Sequence, residues 1–172
     1  FIDSDDFFDY SNTIRTLSMM IGISSIPVMY LVGRKFFDHR YSLVLASFFA
    51  FEPHLNYNST LGLAEPLFIL ATIGAFYFIL NHNTRFIIIS LILAGIAYWI
   101  RINGVWVFVV ISIIYFITKR KSWKLAANFS MAFVAFILVI SPIMIERNDS
   151  FGDPFYSVYK DAIFAGNYEL ML

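Results

Sequence analysis

Cysteine is absent from the 172 residues, which removes disulfides and thiolate metal sites from consideration and leaves the redox compartment unreadable. Charge is scarce too. Only 14% of residues are Asp, Glu, Lys or Arg, against 59% hydrophobic, too few to clothe a water-soluble globule. There is no HExxH, no paired histidine and no carboxylate cluster at metal-ligand spacing, so no protein-only metal cage is expected. No repeat of solenoid period is visible. The opening FIDSDDFFDY is acidic, unlike the basic start of a signal peptide, and Phe1 stands where an initiator Met would. The chain is therefore expected to be a piece of a longer polypeptide. With a formal charge of zero, no nucleic-acid partner is expected.

What is present is a series of apolar runs, and these imply an integral membrane protein of the all-α class, a polytopic transmembrane helix bundle of about six spans. The expected spans are 13–33, 41–51, 61–80, 86–100, 105–118 and 125–145. Ser11 or Asn12 is expected to cap the first, and Pro27 to kink it without ending it. The second, at eleven residues, is short of the ~20 that a perpendicular crossing needs. Residues 1–12 read either as an interfacial amphipathic segment or as a solvated linker. Residues 13–145 form the bundle, and 146–172 an extracytoplasmic tail.

The loops differ in charge. One set carries Arg34, Lys35, Arg40, Arg85, Lys119, Arg120, Lys121 and Lys124, eight of the twelve basic residues. The other carries Arg15, Arg101, Arg147 and Lys160, with every acid except Asp38. The positive-inside rule makes the first set cytoplasmic and the second outside.

On the outer side lies the polar stretch Phe51 to Phe68, FEPHLNYNSTLGLAEPLF. Pro53 disfavours helix at Glu52 and implies an irregular island. Glu65 falls four residues into the next apolar run, where a carboxylate deep in a span costs roughly 3 kcal/mol and so marks a functional candidate. Its alternative is a structural hydrogen bond or an ion pair to Arg101 or Arg15. Arg101 ends the run SLILAGIAYWI; its guanidinium suits a phosphate, or else anchors the helix among lipid headgroups. His54 could serve as an acid, base or ligand, although a lone loop histidine is more often none of these. Glu52, Asn103, Arg15 and Arg147 complete the candidate binding set, with Arg15 or Arg147 assisting Arg101. Tyr57, Tyr98 and Trp106 are aromatic surfaces for a sugar ring, or interfacial belt and packing.

The succession Arg15-x-Leu17-Ser18, Tyr30-Leu31-Val32-Gly33-Arg34-Lys35-Phe36-Phe37, Ala50-Phe51-Glu52-Pro53, Leu63-Ala64-Glu65-Pro66-Leu67-Phe68 and Ala94-Gly95-Ile96-Ala97-Tyr98-Trp99-Ile100-Arg101 resembles the protein O-mannosyltransferase-like membrane glycosyltransferases of the C-type superfamily. Arg147-Asn148 followed by Phe151-Gly152-Asp153-Pro154 is similar to the segment after a late span in that group. The resemblance implies an inverting enzyme of a prokaryotic plasma membrane or the endoplasmic reticulum. Its donor would be a polyprenyl- or dolichyl-phosphate sugar, and its acceptor a protein, glycan or lipid on the extracytoplasmic side. It also implies Arg101 near the donor phosphate, Glu65 on the same cavity, and a catalytic aspartate in a loop upstream of Phe1. No metal ligand is named; a divalent ion between phosphate and carboxylate is compatible with these residues but not indicated. Two rival readings are a transporter or flippase-like carrier, against which the unpaired Pro27, Pro66 and Pro142 count, and a non-catalytic membrane scaffold.

Overall fold

A computed structural model describes residues 4–81, 83, 85–118 and 123–155. Asp3, Lys119–Lys121, Lys160 and the tail beyond 155 lie outside the described residues, as do the side chains of Asp5, Asp6 and Lys124. Among the described residues the chain is entirely helical: α1 (Ser4–Gly33), α2 (His39–Ala50), α3 (Pro53–Leu61), α4 (Glu65–Ile79), α5 (Phe86–Ile100), α6 (Gly104–Thr118) and α7 (Trp123–Phe151).

Among the described residues, two helical stretches, Asp9–Gly33 and Leu125–Phe151, are long and apolar enough to cross a membrane. The apolar helices α4, α5 and α6 have 15 residues each, about 22 Å of helix against a hydrocarbon core of ~30 Å. From Ser4 the acidic opening is helix continuous with α1, so Ser11 and Asn12 are interior and cap nothing; Thr13 and Thr16 instead return their hydroxyls to the carbonyls of Asp9 and Asn12, each at 2.8 Å. Likewise α7 runs past Ile145 to Phe151, carrying Glu146, Arg147 and Asn148 in its last turns.

The larger correction is at the polar island. Pro53 does not disrupt it but opens α3, where a proline lacks only an N–H that would have had no partner. Glu52 is the N-cap, its carboxylate accepting from Leu55 N at 2.5 Å. Gly62 ends α3 at φ 74°, a left-handed C-cap that spares a side chain the strain. It also lets Ile14 and Arg15 approach: a Cβ at Gly62 would lie 3.0 Å from Ile14 Cγ2 and 3.3 Å from Arg15 Cγ.

The helices form a row. α1 packs on α2, α3 and α4, and α5 packs on α4, α6 and α7. Small residues make the contacts close, as they do where lipid supplies no hydrophobic drive between helices. Gly22 of α1 faces Ser59 and Pro66, and Gly95 of α5 faces Val139 of α7. Ser90 Oγ donates to Ala75 O across α4 and α5 at 2.8 Å. The core is Ala75, Leu91, Ala94, Ile111, Tyr115, Ala132, Phe136 and their neighbours, with Phe108 stacked on Phe136 at 4.4 Å. Outward the surface is apolar too: Met20 and Ile23 on α1, Phe48 on α2 and Leu138 on α7 are exposed. Water would not tolerate so much of it, whereas lipid or further protein would.

Candidate functional site

Contacts between helix ends establish which polar groups share an end of the row. Arg15 lies against Gly62. Ser18 Oγ donates to Leu63 O at 3.0 Å. Arg101 Nη1 donates to Glu65 Oε1 at 2.9 Å, and Arg147 Nη1 to the Tyr98 hydroxyl at 3.2 Å. Arg15, α3, Glu65, Arg101 and Arg147 thus gather at one end. The other end holds Lys35 over the Tyr77 ring at 5.2 Å and Tyr30 bonded to His39.

Glu65 sits at the boundary of a helix rather than inside a span. It is the first residue of α4, with Pro66 next to it. There the helix dipole favours a carboxylate, and the cost of immersion in hydrocarbon does not apply in full. Its side chain remains 28% exposed, and that of Arg101 41%. Arg101 reaches it because α5 stops: the Arg101 backbone is extended (φ −147°, ψ 138°), with its N–H still bonded to Ala97 O. One of the five guanidinium N–H groups is spent on Glu65, leaving an open fork for an anion.

The remaining candidates divide. Arg147 joins the same end through Tyr98, three residues before Arg101, with its guanidinium carbon 5.4 Å above the phenol ring. Tyr98 is buried, so it braces Arg147 and offers no face to a sugar. The chemical signal for this pair is a tyrosine at the end of an apolar run, whose hydroxyl needs a partner. Arg15 is exposed and forms no ion pair among the described residues. Glu52 is engaged as the cap of α3 rather than with any of the arginines. His54, in the first turn of α3, and Asn103, in the α5–α6 turn, are exposed. Tyr57 and Trp106 are exposed as well. Met19, Gly22, Ile23, Ile26, Leu55 and Ser59 line an apolar groove of ≈ 320 Å³ between α1 and α3. Among the described residues, no three of His, Asp and Glu gather into a metal-binding group.

An apolar helix row with an Arg101–Glu65 ion pair at the same end as Arg15 and Arg147 has the build of a membrane protein carrying a polar site at one face. The chain matches the dolichyl-phosphate-mannose-protein mannosyltransferase family over residues 7–145, and it belongs to that family. It is thereby a membrane protein of the glycosyltransferase type. No curated protein and no solved structure matches it.

Proposed function

We propose that this chain supplies part of an inverting membrane glycosyltransferase, in which Arg101 binds the phosphate of a polyprenyl- or dolichyl-phosphate sugar. The site is extracytoplasmic, and the basic end with Arg34, Lys35, Arg40 and Arg85 faces the cytosol. The acceptor is a hydroxyl on a protein, glycan or lipid. The observation that carries the reading is the Arg101–Glu65 contact, which holds a guanidinium at the end of the row that also carries Arg15 and Arg147.

In the transfer, the acceptor oxygen attacks the anomeric carbon while the bond from that carbon to the phosphate oxygen breaks. The acceptor proton passes to a carboxylate base, and the lipid phosphate departs with the bonding electrons. Charge therefore grows on the phosphate, and a cation already in place lowers the barrier without reorganising. Glu65 acts through Arg101: it aims the guanidinium and leaves the other N–H groups for phosphate oxygens. Arg15 and Arg147 add field at the same end. The groove between α1 and α3 offers a berth to the isoprenoid chain. His54 and Asn103, both exposed, and Glu52 are assigned to sugar or acceptor hydroxyls.

Glu65→Gln in the complete protein tests the assignment. It keeps the shape but replaces a charge-assisted hydrogen bond with a neutral one, a difference of about 1.4 kcal/mol. The expected result is a roughly tenfold lower kcat for sugar transfer, a smaller change in donor KM, and partial rescue by Glu65→Asp. An unchanged kcat in protein that inserts normally overturns the role given to Glu65.

A further inference from the structure

The basic end of the row carries a second polar feature, remote from Arg101. The turn between α1 and α2 brings Arg34, Asp38, His39 and Arg40 around an open hollow of ≈ 710 Å³, closed on its apolar side by Tyr41 and Val44. Three cations, Arg34, Lys35 and Arg40, stand against one carboxylate, Asp38. Neither Arg34 nor Arg40 forms an ion pair among the described residues, and Lys35 is turned to Tyr77. Asp38 precedes α2 without capping it by its side chain, which leaves the first-turn N–H groups, at a helix start that lines the same hollow, without that partner. Tyr30 engages His39 Nδ1 at 2.7 Å, and Nε2 is the ring nitrogen left to meet a ligand.

The hollow does not stop at its polar head. Val44 is shared with a second, apolar hollow of ≈ 390 Å³ lined by Leu43, Val44, Ser47, Phe48 and Phe51. Tyr41, Val44, Phe48 and Phe51 recur at helical spacing and are all more than half exposed. The opposite side of α2, with Ser42 and Ala46, is buried, and a Cβ at Gly33 would lie 3.4 Å from Ser42. From Arg40 to Phe51 the helix rises about 16 Å, roughly half the ~30 Å hydrocarbon core. A cationic head and an apolar strip one leaflet long match an amphiphile with an anionic head.

We propose that α2 and the α1–α2 turn seat an anionic phospholipid of the leaflet at the basic end, its phosphate on Arg34, Arg40 and the α2 N-terminus and its acyl chain along Val44, Phe48 and Phe51. The charge complementarity selects the anionic headgroup, and the continuity of the two hollows selects a lipid over a free anion.

The test uses the full-length protein in phosphatidylcholine nanodiscs doped with phosphatidylglycerol, with retained lipid counted by native mass spectrometry. The expected result is preferential retention of phosphatidylglycerol. Arg34→Gln with Arg40→Gln should weaken it about 30-fold, at ~1 kcal/mol per basic side chain near a charged headgroup. Phe48→Ala, which removes no charge, should weaken it severalfold. Arg101→Gln at the other end should leave it unchanged, and inorganic phosphate should not compete. Retention that survives the double substitution, displacement by inorganic phosphate, or dependence on Arg101 each overturns the proposal. So does absence of retention in the full-length protein, which would mean that other protein covers α2. None of these readouts requires sugar transfer, so the proposal stands or falls apart from the catalytic reading.

Discussion

Arg101→Ala should abolish most sugar transfer while leaving the helices in place. An exposed ion pair contributes only about 0–1 kcal/mol to stability, and the Arg101 side chain is 41% exposed, so its loss does not threaten the fold. Loss of one preorganised group that meets developing charge costs roughly 10²–10³ in kcat. Arg101→Lys should recover part of this, since it restores charge without the planar fork that can hold Glu65 and a phosphate oxygen together. Initial rates with a lipid-phosphate sugar in the complete protein, normalised to membrane-inserted protein, measure it. Rates within a factor of two or so of the parent for the alanine variant would remove Arg101 from the site.

The second large effect concerns the corner that presents Arg101. Gly104 opens α6 against the end of α5, and a Cβ there would lie 2.3 Å from Tyr98 N and 2.4 Å from the Ala97 carbonyl carbon. Those are backbone atoms of a packed helix and cannot rotate away. Gly104→Val should therefore destabilise by about 3 kcal/mol, the upper part of the overpacking range, or about 6–12 °C in Tm for a chain of this size. It should also depress transfer, because Tyr98 braces Arg147 and Arg101 follows three residues later. Gly74→Ala is the control. Its Cβ would meet only Leu93 Cδ1, at 3.3 Å, a side-chain tip able to yield. A thermal melt of the purified protein should separate the two, and equal melts would contradict the close approach of α5 and α6.

Much of this arrangement could be read from the residues. The apolar runs carry the helix pattern of α4, α5 and α6 to within a few residues, because turn-forming Asn81–Arg85 and Asn103–Gly104 bound them. The segregation of basic from acidic loops pointed to two unlike ends. The Glu65–Arg101 contact stood among the alternatives, as an ion pair joining two apolar runs. What escaped was local. Pro53 was read as a helix breaker, although the first turn of a helix is where proline fits, and whether it starts or ends a helix depends on the chain after it. The acids before Thr13 and the polar run after Ile145 looked like boundaries of α1 and α7, because hydropathy marks where lipid ends and not where a helix does. The engagement of Tyr98 with Arg147 spans 49 residues, beyond anything periodicity reports. Glu65 looked costly by its place in an apolar run, yet Gly62 and Pro66 set it at a helix start beside a cation.

The claim on which the account turns is that Glu65 and Arg101 act as one unit upon the donor phosphate, and a double-mutant cycle on sugar transfer addresses it directly. Glu65→Gln, Arg101→Ala and their combination are to be compared in the complete protein with a lipid-phosphate sugar as donor. Once Arg101 is gone, Glu65 has nothing left to aim, so the double variant should be no slower than Arg101→Ala alone. Multiplication of the two single losses would contradict the account.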